Sequence, residues 1–262
     1  ADNNIGNYWT WNPLNVTGGS TTLSDGNLRM VATSAASTSV FAPVLPATGK
    51  WAWKITATLN NGAGAEYPVL GIVPEQNHAV AQMRSGGTGY GYGADGRKFG
   101  VSGNASYGAS WSAGDVIEVE WDADNGDLSF IHEGSSQGDA FTGITGRWKP
   151  AQDPYAYGGN NDTTTDFGQL GFTPTTAGYK TLMSANLPAP AIKDPSKYFQ
   201  TDIYTGTGSE LVRTLTDAAG DAVKPDLVWI KDRDSAVEFV ITDSARGATK
   251  ELNCDSDAVE ST

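Results

Sequence analysis

Three carboxylates stand at alternate positions of one short run, Glu118, Glu120 and Asp122 in Val116-Ile117-Glu118-Val119-Glu120-Trp121-Asp122. In an extended strand, residues i, i+2 and i+4 project from one face, so the run predicts an acidic ladder. Neighbours on that face, ~6.6 Å apart along the strand, can be adjusted to the ~5–5.5 Å between the acid and nucleophile of a retaining glycoside hydrolase. Glycan hydrolysis is the sharpest chemistry the chain offers. Against it, Asp122 opens a turn, and a solvated outer strand face accounts for the same pattern. The chain is therefore read as non-catalytic.

Other chemistries lack their residues. Asp122 to Glu133 echoes a calcium loop, but Asp127 stands where such a loop needs glycine, and strand-like runs flank it rather than helices. His78 and His132 are the only histidines and match no ligand or triad spacing. The glycine-rich stretch Ser85–Gly96 has no Lys-Ser/Thr ending and precedes no helical pattern, so it is not a phosphate loop. No metal or cofactor is expected. What remains is binding. Tyr and Trp in loops stack on sugar rings while their polar atoms reach hydroxyls, which makes Tyr67, Tyr90, Tyr92, Trp111, Tyr155 and Tyr157 the candidate ligand-binding residues.

The elements that must carry these residues read as strands. Gly49–Leu59 alternates with period two: Trp51, Trp53, Ile55, Ala57 and Leu59 share one face, while Lys50, Ala52, Lys54, Thr56 and Thr58 share the other. That pattern predicts an outer strand with one oily and one wet face. Tyr67–Val73 is apolar on both faces and predicts a more central strand. Around Asn125-Gly126, two alternating runs form the strongest hairpin signal in the chain. Thirty-two glycines, eight tryptophans and ten tyrosines, with no helix-rich segment, give an all-β class.

Seventeen basic against thirty acidic residues leave a net charge of −13, which repels a phosphate backbone and disfavours nucleic acid. One cysteine excludes an intrachain disulfide framework. No apolar run approaches the ~20 residues of a helical membrane span, so no membrane insertion is expected.

With those motifs in place, a family resemblance emerges. Gly49-Lys50-Trp51-Ala52-Trp53, Val69-Leu70-Gly71-Ile72-Val73, Trp111-Ser112-Ala113-Gly114-Asp115-Val116-Ile117 and Gly126-Asp127-Leu128-Ser129-Phe130, in that order, resemble the SPRY pattern. Gly138-Asp139-Ala140-Phe141 and Trp148-Lys149-Pro150 extend it, with His132-Glu133-Gly134 as a departure in one loop. The resemblance implies an antiparallel two-sheet sandwich of concanavalin A-like jelly-roll type, with recognition by loops at one end and no shared catalytic residues. Pro225–Lys231 and Asp243–Lys250 look like the module that follows such domains in bacteriophage structural proteins. This further likeness implies a virion component of a tail fibre, tail or capsid-surface appendage, with a capsid-decorating structural protein as the alternative, that contacts other virion proteins and a host cell-surface glycan or protein, as a homo-oligomer.

The expected organisation is N-terminal strands joining the sandwich over 1–43, a SPRY-like sandwich over 44–186, a proline-rich linker over 187–197, and a partial β module over 198–262. Three strand-like runs in ~65 residues barely close a sandwich alone. The last module is therefore expected to be completed by further sequence or by a neighbouring chain.

Overall fold

The computed structural model describes residues 7–17, 21–33, 39–60, 68–76, 83, 87–154, 160–189, 191–247, 249–254, 257 and 259–261. It divides into two compact units, Ala1–Pro188 and Ala189–Thr262.

The first unit contains β1 (Val16–Thr17), β2 (Thr21–Ser24), β3 (Arg29–Ala32), β4 (Ser39–Phe41), β5 (Lys50–Asn60), β6 (Val69–Pro74), β7 (Tyr90–Gly93) and β8 (Arg97–Gly100). It continues with β9 (Gly103–Ser106), β10 (Val116–Asp122), β11 (Asp127–His132), β12 (Ser135–Phe141), β13 (Trp148–Asp153), β14 (Asn161–Asp166) and β15 (Lys180–Thr181). One sheet runs β1-β4-β13-β6-β7-β8-β9 and the other β12-β11-β10-β5-β14-β3-β2. Neighbours along both paths are antiparallel. β15 adds to β5 in parallel, where β14 has ended. This is the two-sheet antiparallel sandwich the sequence implies.

Trp51, Trp53 and Ile55 of β5 point between the sheets, against a core that includes Leu70, Ile72, Val119 and Phe130. Burying one such tryptophan removes roughly 200 Å² from water, about 5 kcal/mol of transfer free energy. β6 is apolar on both faces for a visible reason. Leu70 and Ile72 enter the main core, while Val69 and Val73 join Phe41, Met83, Phe99 and Ala151 in a second cluster. Backbones approach closely here: a Cβ on Gly71 would lie 2.0 Å from the Tyr90 carbonyl oxygen. The sheets are also joined by a buried polar link. Gln152 accepts from Thr163 Oγ1 at 2.9 Å and donates to Thr165 Oγ1 at 3.1 Å, while Trp11 Nε1 donates to Thr165 at 3.0 Å.

The Asn125-Gly126 hairpin is present, with a four-residue turn between Asp122 and Asp127. Only Gly126 takes positive φ, 74°. Asp122 Oδ1 accepts from the backbone N–H groups of Asp124 and Asn125, and Oδ2 accepts from Asn125 Nδ2. The carboxylate that opens the turn thus ties it.

The first described residues of this unit meet its last strand-like stretch. Tyr8 bridges Met183, Trp9 N donates to Leu182 O at 3.1 Å, and Ser184 N to Asn7 O at 2.8 Å.

The second unit holds β16 (Leu227–Ile230), β17 (Val240–Asp243) and β18 (Leu252–Asn253) in a three-stranded antiparallel sheet ordered β16-β17-β18.

Candidate functional site

The acidic ladder forms as the strand period requires, but it is not solvated. Glu118, Glu120 and Asp122 are 4 %, 4 % and 3 % exposed. β5 is not an outer strand either: it lies between β10 and β14, and its Ala52 is fully buried. The reason is the segment 168–182, which runs from the end of β14 through β15 and packs over this face. Thr175 donates to Glu118 twice, from its backbone N–H at 2.9 Å and from Oγ1 at 2.6 Å. Thr176 hydrogen-bonds Glu120. The aromatic rings of this segment receive the lysines of β5, Lys54 over Phe172 and Lys50 over Tyr179, each 5.6 Å from the centroid.

Electrostatics separate the three acids. Burial pushes the Glu120 carboxyl above its usual range, and neighbouring Glu118 adds to this against the opposing Thr176 bonds. Glu120 Oε1 has no hydrogen-bond partner among the described residues. Burial also pushes Asp122 up, but Lys50, 2.9 Å away, and Asn125 outweigh it and leave that carboxyl below its usual range. A cleft of about 240 Å³ beside Glu118 is lined by Lys54, Val116, Ile131, Phe172 and Thr173 among others. It is smaller than the ~300–1,000 Å³ typical of small-molecule sites. Glu118 and Glu120 fasten a covering segment and Asp122 ties the turn to Lys50, so each member of the ladder is engaged by the chain.

The carboxylates around the turn are engaged likewise. Asp124 accepts from Gly49 N and Asp127 from Gly143 N. Among the described residues, no cluster of His, Cys, Asp and Glu has a metal-holding arrangement. His132 lies 3.2 Å from Asp115 Oδ2 at the end of β11, and His78 lies outside the described residues.

Two of the expected ligand-stacking aromatics belong to the core. Tyr92 is fully buried and Trp111 is 3 % exposed. Tyr92 shares the inward parity of β7, packs on Phe130 with centroids 5.2 Å apart, and donates its hydroxyl to the Ala109 carbonyl. Its phenol is pushed up to about 12 by burial. Trp111 packs on Tyr92 at 6.4 Å. Neither can stack on a ligand. Tyr90 is half-buried between Phe141 and Trp148.

Tyr67, Tyr155 and Tyr157 lie outside the described residues, but their flanks are placed. Asn60 pairs with Asn161, and Asn161 with Ala32; Asp153 pairs with Val69. The chain therefore leaves the strands toward 33–38, 61–67 and 155–159 at the same end of the sandwich.

What sequence reasoning missed is the covering segment, Phe172, Thr175, Thr176 and Tyr179. A signal existed in the β5–β10 register, which sets Lys54 opposite Glu118 and Lys50 opposite Asp122. Opposite charges paired across one face describe a neutralised surface suited to being covered.

The SPRY domain model matches residues 50–166, and the model of a domain of unknown function (DUF7483) matches residues 194–262. No curated protein matches the sequence. Among solved structures, the SPRY domain of human HERC1 is similar with a TM-score of 0.51 at 18 % identity, over 59 % of this chain and 96 % of that one. Stonustoxin has a TM-score of 0.46 at 15 % identity, over 61 % of this chain and 27 % of its own. The TRIM65 PSpry domain has a TM-score of 0.45 at 13 % identity, over 61 % and 92 %. The family match over residues 50–166 and the fold similar to that of the HERC1 domain agree: the first unit carries a two-sheet sandwich of SPRY type.

Proposed function

We propose that this chain is a non-catalytic recognition and building component of a bacteriophage particle, a tail fibre or other surface appendage. Its SPRY sandwich would engage a host cell-surface glycan or protein through the connections at one end. The observation that carries the recognition part is geometric. The strand ends Asn60, Val69, Asp153 and Asn161, which flank the stretches bearing Tyr67, Tyr155 and Tyr157, lie at one end of the two-sheet scaffold, whereas the acidic face is closed by its own chain. The virion part is supported by the likeness of Pro225–Lys231 and Asp243–Lys250 to phage structural modules. Recognition loops on a stiff scaffold are a recurrent division of labour.

The test is binding of the purified chain to an array of bacterial surface polysaccharides and to intact cells. Wild type should bind at least one polysaccharide or cell type, and a Tyr67→Ala/Tyr155→Ala/Tyr157→Ala variant should lose about tenfold or more in affinity. Equal binding by that variant would remove the loop end from the reading. Depolymerisation of a bound glycan, lost in Glu118→Ala/Glu120→Ala, would replace recognition with glycan hydrolysis.

A further inference from the structure

The second unit is poor in core. Among its described residues only Asp217 is buried, whereas Leu227 is 59 %, Trp229 60 % and Ile230 39 % exposed. Those three belong to β16, whose sequence Leu-Val-Trp-Ile is apolar at every position, the pattern of a strand covered on both faces and paired on both sides. Yet β16 is the terminal strand of its sheet. An apolar edge of this kind, its outward groups free over Leu227 and Trp229, is a template for another strand.

We propose that β16 pairs with β16 of a second copy of this chain, forming a two-fold antiparallel seam that continues the sheet from one copy into the other. This goes beyond the recognition reading and does not depend on it. Ser244 N donates to Asp226 O at 2.8 Å, which fixes the alternation of the ladder. Asp226, Val228 and Ile230 bond inward to β17, and Leu227 and Trp229 direct their N–H and C=O groups to the open edge.

A two-fold axis perpendicular to the sheet allows only registers in which each side chain meets one of the same parity. Centred on Val228, the pairing sets Leu227 opposite Trp229 of the second copy and Trp229 opposite Leu227, so all outward backbone groups of both residues are bonded. In this register Asp226 faces Ile230 and Lys231 faces Pro225, so no like charges are opposed. Shifting the centre to Trp229 sets Asp226 against Asp232, a like-charge pair. Shifting it to Leu227 sets Trp229, a residue of the strand, against Pro225, which has no N–H to give, whereas centring on Val228 leaves only Lys231, beyond the strand, opposite that proline. One register fits, and the edge is its own complement. This self-complementarity is why the occupant is a second copy rather than an unrelated strand.

Sedimentation velocity of the full chain across a concentration series should show a species of twice the 27.5 kDa chain mass. Because each copy carries −13, added salt should strengthen it. Leu227→Glu and Trp229→Lys should each weaken association about tenfold or more. Mixed in equal amounts, the two variants should recover it, since the carboxylate introduced in one copy then faces the ammonium introduced in the other across the seam. Circular dichroism of each variant should match wild type, because both positions are exposed. A monomeric wild type, a trimer, or a dimer unaffected by both substitutions would overturn the seam. So would a mixture that stays as weak as its components.

Discussion

Replacing Thr175 by valine removes one hydroxyl and almost no volume, so it isolates the fastening of the covering segment. The lost bond, Oγ1 to Glu118 Oε2 at 2.6 Å, is short and charge-assisted. Such bonds contribute about 1.5–3 kcal/mol. The Thr175 N–H remains on Oε1 at 2.9 Å, so the carboxylate keeps a donor and the loss falls in the lower part of that range, about 1.5–2 kcal/mol. For a unit of this size, the melting midpoint should fall by about 3–7 °C. Near-ultraviolet circular dichroism of the buried tryptophans reads the melt, and hydrogen exchange at 171–176 reads the segment itself. In a Glu118→Gln background the acceptor is neutral, and the valine should cost only about 0.5–1 kcal/mol. A Thr175→Val loss below about 0.5 kcal/mol, or one identical in both backgrounds, would refute Glu118 as the anchor.

Gly126→Ala should cost about 2–4 kcal/mol, because the residue sits at φ 74° and its new Cβ would lie 2.2 Å from the Ile144 carbonyl oxygen. Urea unfolding measures it, and an unchanged midpoint would mean the turn relaxes freely. Glu120 gives a pH signature. Its folded carboxyl is raised by burial, so the folded state binds its proton more readily than the unfolded state. The stability it costs at neutral pH is recovered as pH falls through the raised value, fully so below the unfolded value of about 4.3. Subtracting the pH profile of Glu120→Gln from that of wild type should leave a curve with this sign, and a flat difference would contradict the burial cause.

The sequence was most informative where one residue's period decides its surroundings. β6, apolar at both parities, lies inside its sheet with a cluster on each face, and the β10–β11 hairpin forms about Asn125-Gly126. On β5 the oily face was legible and the fate of the wet face was not. Lys50 and Lys54 look solvated until 168–182 returns across them, and that stretch of Gly, Thr and Pro has no period to announce it. Tyr92 and Trp111 failed for a related reason. An aromatic side chain carries the same letter in a core and in a binding loop, and only the packing partner, Phe130 or Tyr92, distinguishes them. Leu227–Ile230 is the converse case: the sequence pattern describes a covered strand, and the isolated chain leaves it bare.

The meeting of Tyr8 and Trp9 with Leu182 and Met183 has a mechanical consequence. Chain enters and leaves the sandwich side by side and in opposite directions. Tension along the polypeptide therefore loads this short clasp one bond at a time and bypasses the two sheets. The sandwich itself carries no load until the clasp has opened. A pull that opens the clasp extends the tether by a few residues before any core strand bears weight. The same adjacency lets the sandwich be spliced into a loop of another protein without stretching its host.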